Sequence, residues 1–382
     1  MTGPLASSSA GGAHHPGSLR ILGLVEGGSE DALSGIPYQL FRALARRLPP
    51  VRRLDYSLHG PVRLAVAAAT FRPSRAAWRA RFHTSRLAHR VLSRTLARRL
   101  GEVGGEFDLA LQVFGWVQGQ PHPYALYVDQ TRMMAERGWP EWMPLTRRER
   151  PELLGLERAM YERALHIFTM GRPARDSLVG EYGVDPSRIT VVGGGLSFDP
   201  FPAPSNLSRE PRILFVGRDF ERKGGDCLVH AFEHVRSQVP DATLHIVGAP
   251  ERISADGVIN HGKVSGRRQL SELYGAARVF CLPSRYEPYG LALIEAMAHG
   301  VPCVGSTVQS IPAILGEGES GVLVRPGDVD QLADALLMFL TDDRMAASVG
   351  SAGRQRVQRE LTWDHVAERI SSVLAEARPT SA

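Results

Sequence analysis

The chain has few cysteines and only short hydrophobic runs. Cys227, Cys281 and Cys303 are its only thiols in 382 residues, and all three fall inside predicted helices or strands. An odd number of such thiols indicates buried free cysteines, as expected in a reducing cytoplasm, and not a disulfide framework. The sequence contains no CxxC pair or other cluster of metal-ligand residues, so we predict no metal site. No run approaches the ~18 apolar residues that a membrane-spanning helix needs.

Signals for targeting and for nucleic-acid binding are also missing. Residues 1–18 are small and polar and lack an apolar central segment, so we expect a disordered tail and not a signal peptide. Charged residues make up 22% of the chain and the net charge is +5, which is a mild basic excess. No zinc-finger or RNA-binding signature accompanies this charge, so nucleic acid is not a predicted partner.

The length of the chain and its alternating pattern predict two α/β domains. A chain of 382 residues is too long for one ordinary core. From residue 212 onward, strand-like and helix-like segments alternate, which predicts a parallel sheet with right-handed crossovers. We place a Pro-rich linker at 201–211, between an N-terminal domain at 19–200 and a C-terminal domain at 212–362.

The predicted elements are short and regular. In the second half, strands are predicted at 213–216, 243–247, 258–261, 279–282, 302–304 and 322–324, and helices at 225–238, 267–274, 290–299 and 329–340. In the first half, strands are predicted at 19–25, 109–114, 124–128, 166–170 and 189–192, and helices from 35, after an N-cap at Ser34, to about 48, at 152–165 and at 172–182. We interpret 132–150 as a mobile surface loop.

Residues 284–295, SRYEPYGLALIE, lie between a predicted strand and a predicted helix. Gly290 allows the backbone to approach a ligand above the turn, and the helix N-terminus favours a phosphate. Glu287 precedes the helix, and Glu295 lies within it among apolar neighbours, so we expect Glu295 to have a polar partner. On spacing alone, a loop charge and a solvated helix glutamate remain an equally good interpretation.

This stretch resembles the E-x7-E signature of the family 4 (group 1) glycosyltransferases, which include retaining enzymes of glycogen synthase-like architecture. Residues 212–224, RILFVGRDFERKG, are similar to the family's strand with Gly-Arg and Lys-Gly. The segments 301–305 and 321–328 also fit. The resemblance implies the GT-B fold, in which two Rossmann-like β/α/β domains face a cleft. It also implies that the last helix, at 363–377, packs back on the first domain.

The resemblance implies a role for each matching residue. Arg218 and Lys223 would hold the donor diphosphate and stabilise the leaving group, and Glu287 would position the donor sugar; these three are the implied catalytic residues. Donor binding is implied for six further residues: Gly217, Val264, Tyr289, Gly290, Leu291 and Glu295. Gly290 and Leu291, at the helix start, would contact the distal phosphate. Glu295 would contact the ribose, and Val264 would lie near the base.

Candidate acceptor contacts follow the strands of the first half, because ligands bind at the carboxyl ends of parallel strands. The candidates are three glycines around the first loop and three residues after the next two predicted strands: Gly27, Gly28, Gly35, Trp116, Asp129 and Thr131. The alternatives are that the glycines serve only as turn residues and that Asp129 caps the following turn.

Residues 72–99 carry nine arginines and no acidic residue. Four of these arginines recur at every fourth position and would lie on one helical face: Arg86, Arg90, Arg94 and Arg98. The simplest interpretation is a solvated helix surface. The alternative is peripheral contact with an anionic membrane or an anionic acceptor.

We therefore predict a cytoplasmic glycosyltransferase, with possible peripheral contact at the inner membrane face. It would move a sugar from a nucleoside diphosphate sugar to an acceptor hydroxyl of a glycan, a lipid-linked molecule or a small molecule. The resemblance implies retention of configuration and no cofactor or metal. Two alternatives share the fold, namely a nucleotide-sugar 2-epimerase and a non-catalytic binding module. A nicotinamide enzyme is disfavoured because the first turn lacks the G-x-G-x-x-G spacing.

Overall fold

A computed structural model describes most of the chain. The described residues are 19–27, 35–48, 51–115, 117, 122–205, 210–249, 253 and 255–376. Their contacts divide the chain into two compact units. The first unit contains the described residues up to Gly193 together with the last helix, Trp363–Glu376, and the second contains those of Gly194–Thr362.

The first unit is built on a parallel six-stranded sheet. Its strands are β1 Ile21–Val25, β2 Val51–Asp55, β3 Leu109–Val113, β4 Tyr124–Val128, β5 His166–Thr169 and β6 Ile189–Val191. They lie in the order β2-β1-β3-β4-β5-β6. The helices between them are α1 Ile36–Ala45, α2 Gly60–Ala69, α3 Arg75–Thr84, α4 Arg86–Val103, α5 Arg132–Gly138, α6 Glu149–Arg163 and α7 Arg172–Gly180.

The central strands of this sheet are continuous apolar runs. Every residue of β1, β3 and β4 is buried, as expected when both faces of a parallel sheet are covered. A Cβ atom at Gly23 in β1 would lie 2.5 Å from the ring of Phe41. The glycine therefore allows α1 to pack directly on the strand.

Several elements of the first unit were not predicted from the sequence. Strand β2 and helix α2 fall in a stretch to which no element was assigned. The prediction of a mobile loop over 132–150 is wrong, because α5 occupies Arg132–Gly138 and a 3-10 turn follows at Pro140–Trp142. The hydroxyl of Thr131 caps α5 by accepting a hydrogen bond from the backbone N–H of Met134 at 3.1 Å.

The second unit is a second parallel six-stranded sheet. Its strands are β7 Arg212–Val216, β8 Thr243–Val247, β9 Val258–Asn260, β10 Val279–Leu282, β11 Cys303–Ser306 and β12 Val322–Val324, in the order β12-β11-β10-β7-β8-β9. Its helices are α8 Gly225–Gln238, α9 Arg267–Gly275, α10 Leu291–Ala298, α11 Ile311–Ile314, α12 Val329–Thr341 and α13 Asp343–Glu360; the last helix, α14 Trp363–Glu376, belongs to the first unit.

The elements predicted for this half are confirmed, with ends that differ by at most two residues. Helices α11 and α13 are additional. Helix α14 belongs to the first unit, where it packs against α1 and where Arg46 forms an ion pair with Asp364 at 2.9 Å. No described helix is both long enough and apolar enough to cross a membrane.

Candidate functional site

The strand order of the second unit defines a switch point. From β7 the chain continues to β8 and β9 on one side of the sheet, and from β10 it continues to β11 and β12 on the other. The loops that follow β7 and β10 therefore leave neighbouring strand ends in opposite directions. Parallel α/β sheets bind ligands in the crevice that such a divergence creates. These two loops, at 217–224 and 283–290, contain most of the predicted donor residues.

Two glycines bring the parts of this site together. Gly224 precedes α8 with φ +73°, and a Cβ atom there would lie 2.0 Å from the carbonyl oxygen of Pro283. A Cβ atom at Gly217 would lie 2.3 Å from Cδ of Lys223. Glycine is required at both positions because the loop after β7 touches the loop after β10 and the Lys223 side chain folds back over the end of β7.

The centre of the site is a buried carboxylate with two cations. Glu287 is 8% exposed, and its Oε2 lies 3.1 Å from Nζ of Lys223 and 3.5 Å from a guanidinium nitrogen of Arg222. Burial by itself would raise the pKa of Glu287, but the positive charges of Lys223 and Arg222 outweigh it and lower the pKa below its usual value. Glu287 is therefore ionised at neutral pH.

Arg222 is a part of this site that sequence reasoning missed. Its guanidinium forms an ion pair with Asp219 at 2.9 Å and donates a hydrogen bond to the backbone carbonyl of Tyr286. Its own carbonyl accepts from the backbone N–H of Arg285 at 2.8 Å. Arg222 therefore links the two loops through both its side chain and its backbone. Its position next to Lys223 in the ERKG segment was the signal available in the sequence.

Glu295 has the polar partner that its apolar neighbours in the sequence predicted. It lies half-buried on α10, and the fully buried Tyr274 donates a hydrogen bond from its hydroxyl to Oε2 of Glu295 at 2.9 Å. The ring of His299 stacks on Tyr274 with 5.3 Å between centroids. Burial raises the pKa of Glu295, against the opposing effects of the Tyr274 hydroxyl and the positive charges of Arg267 and Lys223. Lys223 thus acts on both glutamates of the signature.

The start of α10 lies against the same cluster. Gly290 is the N-cap of α10 with φ +108°, a conformation that favours glycine, and Leu291 is the first helical residue. A Cβ atom at Gly290 would lie 3.6 Å from Cγ of Glu287, so the helix N-terminus adjoins that side chain. Tyr289 is buried, and its hydroxyl accepts a hydrogen bond from the backbone N–H of Gly194 at 2.7 Å.

Arg218 and Val264 are the other two residues predicted to contact the donor. Arg218 follows β7 and is exposed, and it forms no ion pair with any described residue. It is therefore available to an anionic ligand. Val264 is half-buried in the loop after β9.

The first unit has its own switch point, between β1 and β3. Gly27 follows β1 with φ +107°, and its backbone N–H donates a hydrogen bond to the hydroxyl of Ser57 at 2.6 Å. Gly35 is the N-cap of α1 with φ +76°. The predicted residues Gly28 and Trp116 lie outside the described part of the chain.

Asp129 and Thr131 follow β4, as predicted, but only one of them is accessible. Asp129 is half-buried. Thr131 is fully buried, and its hydroxyl caps α5 and lies 2.7 Å from the hydroxyl of Ser177. The cap of this turn is therefore Thr131 and not Asp129, and the expected acceptor contact of the Thr131 side chain does not fit its buried position.

Glu26 is a second residue that sequence reasoning did not single out. It follows β1 at the switch point, with Oε1 3.8 Å from Nδ1 of His83. Burial, together with the negative charge of Asp55, raises the pKa of Glu26 from 4.5 to about 7. Asp55 has the opposite behaviour, because hydrogen bonds from Ser57 and Gly27 outweigh its burial and lower its pKa.

We expect the substitution Glu26→Gln to stabilise the chain at pH 8. A carboxyl whose pKa is raised in the folded state contributes stability below its unfolded pKa, and that contribution is lost as the pH rises through the folded pKa. At about 1.4 kcal/mol per pKa unit, the variant should gain about 3 kcal/mol over the wild type at pH 8 and about 1 kcal/mol or less at pH 5. Urea unfolding at both pH values measures this, with the exposed Glu319→Gln as control. An equal difference at both pH values would contradict it.

The four arginines predicted to form a stripe are exposed on α4. Arg86 forms an ion pair with Glu152 of α6, and Arg98 lies 3.6 Å from Glu102 on its own helix. Arg90 and Arg94 are exposed at the same spacing. Half of the stripe is therefore paired with carboxylates within the first unit, and contact of this stripe with an anionic membrane stays a prediction.

Metal ligands and thiols give no further site in the described residues. Among them, no group of three or more His, Cys, Asp or Glu side chains is arranged to hold a metal ion. Cys227, Cys281 and Cys303 are free and buried.

The fold is the GT-B fold of glycosyltransferases. The sucrose-phosphate synthase from Thermosynechococcus elongatus superposes with a TM-score of 0.69 over 94% of this chain and 98% of that one, at 21% identity. Residues 210–342 match the family model for glycosyl transferases group 1. The chain is thus similar to the group 1 glycosyltransferases over most of its second unit, which confirms the resemblance that the sequence implied there.

Curated relatives carry names of the same kind. The chain is 26% identical to the MMP alpha-(1->4)-mannosyltransferase of Mycolicibacterium hassiacum, over 78% of this chain and 77% of the relative. It is 34% identical to the D-inositol 3-phosphate glycosyltransferase of Xylanimonas cellulosilytica, over 54% of this chain and 55% of the relative. The chain therefore spans about half the length of this second relative.

Proposed function

We propose that the chain transfers a sugar from a nucleoside diphosphate sugar to an acceptor hydroxyl, with retention of configuration and without a metal. The observation that carries the proposal is the buried Glu287 with Lys223 and Arg222 at the switch point of the second unit. A diphosphate needs cations, and a sugar that gains positive charge needs a fixed carboxylate. This crevice offers both within one small cluster.

The second unit binds the donor in this proposal. The exposed Arg218, Lys223 and the N-terminus of α10 at Gly290 and Leu291 bind the diphosphate, since a helix N-terminus offers free N–H groups and a positive dipole end. Glu295 accepts the ribose hydroxyls. Its Oε2 already accepts from Tyr274, which fixes the carboxylate and leaves Oε1 for the ligand.

The remaining predicted donor contacts complete this picture. Val264 lies near the base and contacts it through its backbone. Gly217 makes room for the Lys223 side chain, which occupies the space that a Cβ atom would fill and so lies over the end of β7, where the phosphates bind. Tyr289 ties the loop after β10 to Gly194. This hydrogen bond lies within the second unit and holds in place the loop that carries Glu287 and Gly290.

The reaction breaks the bond between the anomeric carbon and the diphosphate oxygen. The electron pair leaves with the diphosphate, where Lys223 stabilises the added negative charge; one such group is typically worth about 3–4 kcal/mol in the transition state. The ionised Glu287 stabilises the positive charge on the sugar. The acceptor oxygen then bonds to the anomeric carbon on the face that the diphosphate leaves, and its proton passes to the departing phosphate.

Several candidate acceptor contacts of the first unit remain in the proposal. Gly27, Gly35 and Asp129 lie at strand ends or a helix start around its sheet. Gly28 and Trp116, which lie outside the described residues, stay in the proposal on their sequence positions alone. We propose a phosphorylated acceptor, since one relative is named for D-inositol 3-phosphate. Three buried free thiols suit a reducing compartment, so we propose that the reaction takes place in the cytoplasm.

Product analysis tests the proposed reaction. The purified chain is incubated with UDP-, GDP- and ADP-sugars, with and without inositol phosphate or a sugar phosphate, and with and without a chelator. Transfer predicts that the free diphosphate accumulates with an acceptor present, in equal amounts with the chelator. A 2-epimerase would instead alter the donor without any acceptor. Failure to bind or consume any donor would favour a binding module or another ligand.

A further inference from the structure

The first unit has a helix whose outer side is apolar and uncovered. Among its residues only Val66 of α2 is buried, while Val62 and Leu64 are 49% and 71% exposed. Leu64 and Ala68, four positions apart, lie on the side opposite Val66. Phe71, just after the helix, is 57% exposed. Isolated exposed apolar residues are ordinary, but consecutive ones along one element indicate an interaction surface.

Helix α3 borders this apolar side and brings positive charge to it. Trp78 of α3 donates a hydrogen bond from Nε1 to the carbonyl of Ala67 in α2 at 2.9 Å. Its ring also meets Phe71 edge to face, with 5.5 Å between centroids. The two helices are therefore held together, so the charges on α3 adjoin the exposed side chains of α2.

Most arginines on and beside α2 and α3 are not neutralised by carboxylates of the first unit. Four are exposed and form no ion pair with a described residue: Arg63, Arg72, Arg75 and Arg79. Arg81 and Arg86, by contrast, pair with Glu149 and Glu152 of α6. The first group thus keeps its charge for an external partner.

The chain segment that forms this surface carries charge of one sign. Residues 56–101 contain ten arginines and no aspartate or glutamate. Burial is the main cause that lowers the pKa of His83, and the positive charges of Arg79 and Arg63 lower it further. Arg63 of α2 and Arg79 of α3 therefore both contribute positive potential at His83. An acidic protein partner or a second copy of this chain would complement only part of this surface. An anionic lipid bilayer complements both the exposed apolar side chains and the arginines.

We propose that α2, the turn at Phe71 and the start of α3 form a docking surface for an anionic lipid bilayer. Leu64, Val62 and Phe71 enter the boundary between headgroups and acyl chains, and the four unpaired arginines contact the lipid phosphates. This surface is distinct from the α4 stripe, since three large apolar side chains are exposed beside its arginines. The proposal concerns binding alone and does not depend on the transfer reaction.

Vesicle sedimentation of the full chain tests the proposal. The probes are vesicles of phosphatidylcholine alone and of phosphatidylcholine with phosphatidylglycerol, without donor or acceptor. We expect binding to the anionic vesicles that weakens as salt rises from about 0.1 to about 0.5 M, because screening shortens the reach of the arginines. Equal binding to both vesicle types, or none to either, would overturn the proposal.

Variants separate this surface from the rest of the molecule. Leu64→Glu should weaken binding about tenfold or more, and Arg75→Gln with Arg79→Gln should weaken it about fivefold per arginine. Leu165→Glu, at another exposed leucine of the first unit, and Arg344→Gln with Arg359→Gln serve as controls and should bind as the wild type does. Variants of the surface that bind as tightly as the controls would refute it. Sedimentation velocity tests the remaining alternative. If the wild type forms a dimer that Leu64→Glu loses, and the wild type does not bind vesicles, the surface is a contact with a second copy of the chain.

Discussion

Replacing Lys223 with alanine should lower turnover about 10²-fold or more. Lys223 is the cation closest to Glu287, at 3.1 Å, and it folds back over the end of β7, where the proposed diphosphate leaves. Without it, the departing negative charge has only Arg218 and the helix N-terminus for stabilisation. Loss of the lysine also removes one of the two cations that keep the pKa of Glu287 low, so less of this carboxylate is ionised when the sugar needs it.

Steady-state kinetics with the donor identified by product analysis measures this effect. The exposed Arg344→Ala, in the same unit but far along the chain, is the control for loss of one positive charge and should keep normal turnover. Circular dichroism and thermal unfolding establish that Lys223→Ala is folded. Near-normal turnover in a folded Lys223→Ala enzyme would refute the role of Lys223 at the leaving group.

Replacing Arg222 with leucine should cost about 3 kcal/mol of unfolding free energy. The Arg222 guanidinium is almost fully buried, and it satisfies Glu287, Asp219 and the carbonyl of Tyr286 at once. Its removal leaves the buried carboxylate of Glu287 with Lys223 alone and the carbonyl without that donor. The loops after β7 and β10 then lose the side-chain contacts that Arg222 makes between them, so donor affinity should fall as well.

The matched control for Arg222 is its neighbour in the same pair of loops. Arg285 forms an ion pair with Asp226, but the two side chains are 35% and 40% exposed. Solvent screens such a pair, so Arg285→Leu should cost only about 1 kcal/mol or less. Urea unfolding of both variants measures the difference. A loss at Arg222 no larger than that at Arg285 would contradict the buried network.

Most helices and strands of the second unit were predictable because each is marked by its own residue pattern in the sequence. Strands such as β8 and β10 are short apolar runs between turn residues, and β/α alternation alone implies a parallel sheet. In the first unit, β2 was missed because VRRLD lies at the edge of the sheet and is mostly half-buried or exposed, so it has no apolar run. Helix α2 was missed because apolar residues occupy almost every position of GPVRLAVAAA, so the sequence shows no helical periodicity. In the structure only Val66 of this helix is buried.

The candidate site was predictable where the residue type itself carries the chemistry. Lys223 and Glu287 are a basic and an acidic residue at matching motif positions, and the structure brings them within 3.1 Å. Arg222 and Tyr274 act through burial and through contacts with residues far away in the sequence, which residue type cannot reveal. Thr131 illustrates the opposite error, because its position after a strand suggested a ligand contact while its hydroxyl caps a helix.

The central claim is that the second unit binds a nucleoside diphosphate sugar through Glu295 and the basic residues beside it. Thermal shift with UDP-, GDP- and ADP-sugars and the free diphosphates tests this most directly, on the wild type, Glu295→Ala and the exposed control Glu319→Ala. A ligand at 100 times its dissociation constant adds about 2.7 kcal/mol, which is easily detected. We expect one base class to stabilise the wild type and the control but not Glu295→Ala. Absence of stabilisation by every nucleotide, in a folded protein, would contradict the claim.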